Sequence, residues 1–347
     1  MTLFERMTKI FQAFALGRAP ESDMLDKMLL EYDENLKGGP YAVSSDRTSR
    51  RRHEFSGTQM DRTIGIKKFV GVLPVMMRLQ TSFNKSVRMA GRPHESEYTD
   101  DQVSVKEIER IAADLGAEAV GFAEVTPDVI YKGKTIPYKY AIVVARRMDN
   151  AKIATAPSVT CMVEVMNTYG QLGVLVNDLA ARIIKAGYDA VPGPALGGAV
   201  DYPSLGRKAG LGEYGYHGLL ISPLNGACQR LAAVFTNLKL LTDVANEHGW
   251  IWDFCSRCGK CIRKCPAGAI VEEPVPQPAG HYTCVQEDRC LEYFGKNYGC
   301  SICIKECPFT TTGYERIKGA FRSRERQGSS SKVNGPQLAK KMTAVDN

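Results

Sequence analysis

The chain has 347 residues, 44% of them hydrophobic, and its 45 Lys and Arg residues against 38 Asp and Glu residues give a formal net charge of +7. This composition excludes a largely disordered chain and suffices for one large domain of about 250 residues with a smaller second unit. The basic residues are spread out, so we expect a solvated surface and no nucleic-acid partner, although a positive balance favours acidic proteins.

No run of eighteen apolar residues occurs, and the nearest candidate, residues 64–77, is interrupted by Lys67, Lys68 and Pro74. A membrane-spanning helix is therefore not expected. Residues 49–52, Ser-Arg-Arg-Arg, resemble a twin-arginine export signal, but they stand fifty residues into the chain and polar residues follow them. We predict a cytoplasmic protein and leave peripheral association with a membrane open.

The first 95 residues begin with apolar side chains at helical spacing, namely Phe4, Met7, Phe11 and Phe14, and continue through a polar, Arg-rich stretch. This pattern predicts helices and loops that wrap a core. An amphipathic helix of this kind can also lie on a membrane. Mixed charges on its other face favour packing against the protein instead.

Residues 96–245 have the alternating pattern of an α/β core. The capping box Ser104-x2-Glu107 predicts a helix that ends at Gly116. Apolar and β-branched runs predict three strands, at residues 119–125, 140–145 and 189–191. A long helix is predicted over residues 158–186, with a kink near Gly170 and Gly173.

Glycine is unusually frequent in the next stretch, where ten of the forty residues from Gly187 to Gly226 are glycine. Such a stretch can consist of turns alone, but it also allows a bulky group to approach the backbone closely. It contains no intact G-x-G-x-x-G after a strand and no phosphate-binding P-loop motif. A large planar cofactor would explain the glycines.

Nine of the eleven cysteines lie between residues 255 and 307, in two runs that each end in Cys-Pro. This is the ligand pattern of two 4Fe-4S clusters, in which the last Cys of each run ligates the other cluster. We therefore predict a quartet for cluster 1, Cys255, Cys258, Cys261 and Cys307, and a quartet for cluster 2, Cys265, Cys290, Cys300 and Cys303. The segment is expected to transfer electrons.

Other uses of these cysteines fit less well. A zinc ribbon needs only four ligands in two separated pairs, and a disulfide framework suits a small secreted domain. Cys284 could replace Cys290 as a cluster ligand, whereas Cys161 and Cys228 are expected to be small buried residues.

Further segments follow one another along the chain: Lys185-Ala186-Gly187-Tyr188-Asp189-Ala190-Val191-Pro192, Ala209-Gly210-Leu211-Gly212-Glu213, Ile221-Ser222-Pro223 and Val234-Phe235-Thr236-Asn237, and then the two Cys runs. In this order they resemble the corrinoid iron-sulfur reductive dehalogenases, over residues 100–315. The resemblance implies a nitroreductase-like α/β core that binds cobalamin without a protein ligand on its lower face. A ferredoxin-like segment with two 4Fe-4S clusters would feed electrons to it.

The resemblance also implies a catalytic pair. Its members protonate the product with a Tyr nineteen residues before the Gly-Tyr at a helix end, and Tyr169 lies nineteen residues before Tyr188. They place a cation beside it, and Arg230, twenty residues after Gly210, has that spacing. A phenol with a pKa of about 10 needs a cation to stabilise its phenolate. Without the resemblance, Tyr169 would be an ordinary packed side chain and Arg230 a salt-bridged one.

Cobalamin contacts are assigned to the glycine-dense stretch, at Gly197, Gly198, Gly210, Leu211, Gly212 and Tyr214. The implied reaction removes halide from an organohalide, with electrons from an external donor such as ferredoxin or flavodoxin. Some members carry an Asn just after Pro192, where this chain has Gly193-Pro194-Ala195, so the substrate class is left open.

Two alternatives remain. An epoxyqueuosine reductase-like enzyme, which also uses cobalamin and iron-sulfur clusters but acts on tRNA, would suit the positive charge, whereas the spacing of Tyr169 and Arg230 argues against it. A two-cluster electron carrier without corrinoid would leave the glycine-dense stretch as ordinary turns.

On this interpretation the chain divides into four segments. Residues 1–95 wrap the core, residues 96–245 form the cobalamin-binding core, and residues 246–318 form the ferredoxin-like domain. Residues 319–347 lack an apolar period and are predicted to be a disordered basic tail.

Overall fold

The structure is a computed structural model that describes residues 22–37, 41–44, 66–92, 104–239, 246–276 and 282–328. The amphipathic helix predicted around Phe4 and Phe14 lies outside the described residues, as does the chain beyond residue 328. Where the structure describes the chain, no helix combines the length and apolarity that a membrane crossing requires.

The described residues form twelve α-helices and ten strands. The helices are α1 (Ser22–Leu36), α2 (Ile66–Ala90), α3 (Val105–Asp114), α4 (Asn150–Ile153), α5 (Val159–Lys185), α6 (Tyr202–Lys208), α7 (Trp250–Cys258), α8 (Lys260–Lys264), α9 (Glu287–Lys296), α10 (Ile302–Glu306), α11 (Pro308–Thr311) and α12 (Tyr314–Gly328). The strands are β1 (Ala42–Val43), β2 (Ala119–Glu124), β3 (Thr135–Ile136), β4 (Tyr140–Arg147), β5 (Ala190–Pro192), β6 (Glu213–Tyr214), β7 (Leu220–Ile221), β8 (Gln229–Thr236), β9 (Ile270–Pro276) and β10 (Tyr282–Val285).

A four-stranded sheet in the order β2-β4-β8-β5 lies at the centre of the core, and every neighbouring pair is antiparallel. Side chains of β4 alternate between two apolar clusters, with Ile142 and Val144 in one and Val143 and Ala145 in the other. Both faces of the sheet are therefore buried, because successive side chains of a strand point to opposite faces. The predicted α/β class is confirmed, with the antiparallel pairing of an α+β arrangement.

The elements predicted for the core are present. The N–H of Glu107 donates to Ser104 Oγ at 3.2 Å, as a capping box requires, and Gly116 follows α3 with a φ of +94°. Strands β2, β4 and β5 lie where the apolar runs predicted strands. Local sequence signals thus predict three of the four strands of this sheet.

Helix α5 covers one face of the sheet with apolar residues that include Leu172, Leu175 and Leu179. Gly170 and Gly173, where a kink was expected, lie inside one continuous helix. A Cβ on Gly173 would come within 2.5 Å of the hydroxyl of Ser82 on α2. These glycines therefore allow α2 and α5 to pack closely.

The opposite face is covered by the described part of the first 95 residues, since Leu29, Tyr32 and Leu36 of α1 pack there with Phe83 of α2. The buried hydroxyl of Tyr32 donates to the carbonyl oxygen of Pro192 at 3.1 Å, next to the end of β5. The amino-terminal helices are thus part of the core packing.

Aromatic packing holds helix α12 against the start of the cysteine-rich segment. The ring of Phe321 on α12 lies 5.5 Å from that of Trp250 and 6.1 Å from that of Phe254, both on α7. The prediction of a disordered tail from residue 319 was wrong up to Gly328, because α12 continues to that residue and Phe321 anchors it. The rest of the division into four segments stays a prediction.

Gly226 tests how tightly the segment rests on the core. Its φ is +55°, and an added Cβ would overlap the carbonyl of Phe309. Gly133 is the control, because its φ is +75° and no atom lies near its Cβ position. Gly133→Ala therefore costs only the free energy of placing a residue with a Cβ in the left-handed backbone conformation. We expect Gly226→Ala to lower the free energy of unfolding by about 2 kcal/mol or more beyond Gly133→Ala, measured by urea unfolding. Equal losses would contradict this packing.

Candidate iron-sulfur and catalytic site

The cysteines of the cluster 1 quartet converge from two parts of the segment. Cys255 and Cys258 lie on α7, Cys261 on α8, and Cys307 between α10 and α11. Burial raises the pKa of the Cys255 thiol, and the neighbouring thiols of Cys307, Cys261 and Cys258 raise it further. Gly259, with a φ of +54°, separates the two helices and turns the chain between them. The structure therefore brings the first predicted quartet together.

The cluster 2 quartet is assembled in the same way. Burial raises the pKa of Cys290 to about 11, and the thiols of Cys300 and Cys265 contribute to the rise. Burial also raises the pKa of Cys303, and the neighbouring thiols of Cys300 and Cys290 raise it further. Cys300 has a φ of +44°, in a tight turn that aims it at this group.

Cys284 belongs to neither quartet. It is fully buried on β10, and Cys261 is the one thiol that contributes to its raised pKa. Cys290, by contrast, interacts with two members of the cluster 2 quartet. These interactions are consistent with Cys290 as the ligand, and the choice between Cys290 and Cys284 stays a prediction.

The donor set fits a pair of 4Fe-4S clusters. Four thiols of each quartet approach one another from separate loops and helix ends, and thiolates are the ligands that such clusters use. Within the described ranges, no three His, Cys, Asp or Glu side chains are arranged to hold a single metal ion.

Tyr169 and Arg230 lie against each other, although 61 positions separate them in the sequence. Tyr169 is on α5 and Arg230 on β8, and the guanidinium carbon lies 5.3 Å from the centre of the Tyr169 ring. Both side chains are half-buried. A cation over the face of a phenol is attracted to the ring and stabilises the negative charge of a phenolate.

Arg230 has few partners of its own. Its Nη1 donates to the carbonyl of Gln229 at 3.1 Å, and its Nε is buried without a hydrogen-bond acceptor. Arg146, which is opposite it in the sheet, is instead held by Gln171 at 2.8 Å and by the carbonyl of Gly116 at 2.6 Å. Arg230 thus keeps hydrogen-bonding capacity for a group beside Tyr169.

Cys161 lies between Arg230 and the cluster 2 quartet. It is buried, as predicted, and so is Cys228. Burial raises the pKa of Cys161, while a hydrogen bond with Ser301 and the charge of Arg230 act in the opposite direction. Ser301 follows the cluster 2 ligand Cys300. The second quartet therefore lies on the side of Tyr169 and Arg230, a relation that no spacing in the sequence indicates.

The buried carboxylate of Glu164 was not identified from the sequence. It accepts hydrogen bonds from the backbone N–H of Asp149 at 2.9 Å and from Lys152 Nζ at 2.8 Å. These bonds tie the chain just beyond β4 to the first turns of α5, which carries Tyr169. Only the three-dimensional contact distinguishes Glu164 from the other acidic residues of the chain.

The glycine-dense stretch is closely packed against the protein itself. A Cβ on Gly197 would meet Leu29, one on Gly198 would meet the hydroxyl of Tyr202, and one on Gly212 would overlap the carbonyl of Ile221. These contacts account for the glycines without a cofactor.

The other residues assigned to cobalamin lie in the same stretch. Gly210 has a φ of +70°, and Leu211 is half-buried against the core. Tyr214 is buried, and its hydroxyl donates to Asp201 Oδ2 at 3.0 Å. Contact of any of these residues with cobalamin stays a prediction.

A second buried donor, missed from the sequence, is His217. Burial lowers its pKa to about 4, so the ring is neutral. Its Nδ1 accepts a hydrogen bond from the N–H of Leu219 at 3.2 Å, which leaves the proton on Nε2, and Nε2 has no partner. Unpartnered buried donors are costly. An acceptor oxygen of a bound group, such as an amide side chain of cobalamin, would satisfy the donor of His217 or that of Arg230.

Comparison with known proteins agrees with this geometry. Residues 248–271 match the family model described as a 4Fe-4S binding domain. The chain is 32% identical to a tetrachloroethene reductive dehalogenase of Desulfitobacterium hafniense over 206 residues, which cover 55% of this chain and 36% of that protein. The catabolic reductive dehalogenase NpRdhA has the same fold, with a TM-score of 0.65, 21% identity, and coverage of 74% of this chain and 40% of that one.

The resemblance to the reductive dehalogenases is confirmed. Similarity to an epoxyqueuosine reductase of Shewanella oneidensis is weaker, at 28% identity over 158 residues, covering 40% of this chain and 36% of that protein. This chain spans about a third of the length of these relatives. The iron-sulfur character of the cysteine-rich segment is also confirmed.

The choice of cluster ligand can be tested by iron analysis. We expect Cys290→Ala to lose cluster 2 and fall from about eight to about four irons per chain. The matched variant Cys284→Ala should keep both clusters, because its thiol belongs to neither quartet. The measurement is iron and sulfide content after anaerobic reconstitution, with the visible spectrum. Loss of iron in Cys284→Ala alone would contradict the assignment.

His217 predicts a pH dependence of stability. Its pKa is about 4 in the folded chain against 6.5 in the reference state, so the unfolded chain binds a proton first as the pH falls. Stability should therefore be highest above pH 6.5 and decrease toward pH 4, by up to about 1.4 kcal/mol per pH unit. Urea midpoints of the wild type and His217→Gln across this range measure it. Parallel curves for the two proteins would contradict the buried neutral ring.

Proposed function

We propose that the protein is a reductive dehalogenase, which converts an organohalide, two electrons and one proton into the hydrogenated product and halide. The observation that carries the proposal is the contact between Tyr169 and Arg230 beside the cluster 2 quartet. In this proposal a proton donor, a cation and an electron relay lie within one region. The similarity to reductive dehalogenases in sequence and fold supports this assignment.

Two 4Fe-4S clusters and cobalamin are the proposed cofactors. The two quartets would hold the clusters, with Cys307 and Cys265 each crossing to the other run. Cobalamin would be held near the glycine-dense stretch, where the predicted contacts Gly210, Leu211 and Tyr214 lie. When bound, it would supply the chemistry that breaks the carbon–halogen bond.

Tyr169 acts as the proton donor in this proposal. Its hydroxyl gives up a proton to the carbon that has lost halide, and the guanidinium of Arg230 stabilises the phenolate left behind. A cation over the ring face makes this transfer easier than it would be for an isolated phenol. The hydroxyl is then reprotonated before the next turnover.

The further proposals follow from the same reaction. The substrate is a small organohalide, and the electrons come from a protein donor such as ferredoxin or flavodoxin, in the cytoplasm. An epoxyqueuosine reductase-like activity on tRNA is the second candidate, supported by the net charge of +7 and the weaker similarity. An electron carrier without corrinoid is the third, and corrinoid uptake distinguishes it.

The acid assignment predicts that Tyr169→Phe, fully loaded with both cofactors, releases halide about 100-fold more slowly or worse, because the proton donor is lost. Arg230→Gln should also be slow and Arg230→Lys less so, since Lys restores the charge without the planar fork. Halide release from a panel of halogenated phenols and alkenes is the measurement.

Tyr140→Phe is the control, because Tyr140 is also half-buried but lies at the far end of β4 from Arg146, which is opposite Arg230 in the sheet. It should leave halide release unchanged. Full activity of Tyr169→Phe would refute the acid assignment. Activity on a tRNA substrate with no halide release would favour the second candidate.

A further inference from the structure

The charge around the cluster 1 cysteines differs in sign from the charge of the helix that carries Cys290. Between Trp250 and Lys264, α7 and α8 contain four basic residues and one acidic residue. Helix α12 contains five basic and two acidic residues, whereas α9 contains three acidic and two basic ones. The ferredoxin-like segment is thus polarised between its two clusters.

The basic residues form one surface because the helices that carry them are in contact. Arg257 of α7 lies 4.9 Å from the centre of the Phe321 ring of α12 and 3.8 Å from Glu325. We define the cluster 1 surface by its exposed basic side chains: Arg257, Arg263, Lys264, Arg316, Arg322 and Arg324.

This surface borders a cluster ligand directly. The guanidinium of Arg263 donates to the carbonyl of Cys258 at 3.0 Å, and Cys258 is itself half-buried. The edge of cluster 1 would therefore lie close to solvent at this point. Ion pairs neutralise only part of the charge, since Lys260 contacts Glu306 at 3.2 Å while Lys264 and Arg324 have no ion pair within the described residues.

Cluster 2 has the opposite surroundings. Cys290 lies on α9 with the acidic residues Glu287, Asp288 and Glu292. On its inner side, Lys305, two residues after Cys303, donates to the carbonyl of Ala156 at 3.0 Å, just before the helix α5 that carries Cys161 and Tyr169. Cluster 2 thus lies on the catalytic side, and cluster 1 lies on the side of the basic surface.

We propose that a small acidic electron-carrier protein docks on the cluster 1 surface and delivers electrons there, so that cluster 1 is the entry point and cluster 2 the inner relay. The proposal rests on the proposed function only for the destination of the electrons. In each encounter the carrier is oxidised by one electron and one oxidised cluster is reduced by one. Two encounters supply the two electrons of a turnover.

Charge complementarity supports this occupant. A basic surface attracts an acidic carrier and raises the rate of encounter, with a strong dependence on salt. The acidic residues of α9 repel the same carrier from the surface near Cys290. A neutral partner would gain nothing from this asymmetry.

The experiment uses full-length protein reconstituted with both clusters. The double variant Arg322→Glu with Arg324→Glu reverses two exposed charges of the surface, both on α12, which carries no cysteine. The matched control, Lys106→Glu with Lys185→Glu, makes the same change of net charge at exposed sites on the core. Lys185 ends α5 about 36 Å along the helix from Cys161. Reduction is followed in a stopped-flow instrument by bleaching of the cluster absorbance after mixing with an acidic reduced flavodoxin.

We expect the surface variant to be reduced about tenfold more slowly at low salt than the control, and the difference to disappear at high salt. Reduction by dithionite should be the same in both, which shows that the clusters are intact. Equal rates with flavodoxin, or an equal loss in the control, would overturn the docking site. Loss of binding to anionic phospholipid vesicles with unchanged reduction would also overturn it and indicate a membrane surface.

This readout is independent of halide release. If flavodoxin reduction depends on the cluster 1 surface but no organohalide is converted, the docking site stands and the proposed function fails. If halide is released with dithionite while the rate of reduction by flavodoxin is the same in the surface variant and the control, the proposed function stands and the docking site fails.

Discussion

The packing of α5 across the central sheet is the constraint on which the rest of the molecule depends. The carboxyl-terminal two-thirds of this helix bury Leu172, Leu175 and Leu179 against β4 and β8. Its first turns carry Cys161 beside the cysteine-rich segment, and Tyr169 lies between the two. One continuous helix thus fixes the distance between the core and the iron-sulfur segment, because an α-helix rises about 1.5 Å per residue.

The sheet positions Arg230, which lies against Tyr169, through the pairing of β8 with β4. Arg230 and Arg146 are paired across β8 and β4, yet only Arg230 lies over the Tyr169 ring. The guanidinium of Arg146 is hydrogen-bonded to Gln171 and to the carbonyl of Gly116, and these bonds hold it away from Tyr169. The contact between Tyr169 and Arg230 is consequently a product of tertiary packing between a helix and a strand that are remote in sequence.

The parts of the molecule that could be predicted are those encoded locally. The spacing of the cysteines depends on short loops, and the capping box at Ser104 depends on one turn of helix, so both are readable from neighbouring residues. The strands of the sheet follow from their apolar runs. The resemblance added Tyr169 and Arg230, whose juxtaposition no local pattern would have indicated.

What could not be predicted depends on distant partners. Seven of the fifteen residues of α12 are charged, and the buried Phe321 late in the helix matters only because Trp250 and Phe254 pack against it. The glycine-dense stretch suggested room for a cofactor, whereas the structure fills the space beside Gly197 and Gly198 with Leu29 and Tyr202. His217 and Glu164 became visible only when their burial and hydrogen bonds were known.

The aromatic contact of α12 has a consequence for the rigidity of the cysteine-rich segment. Phe321 packs against Trp250 and Phe254 of α7, the helix that carries Cys255 and Cys258. Burying an aromatic ring contributes strongly to packing energy, so this contact holds α7 against a helix more than sixty residues later in the chain. The last described helix thus clamps the start of the cysteine-rich segment to its end.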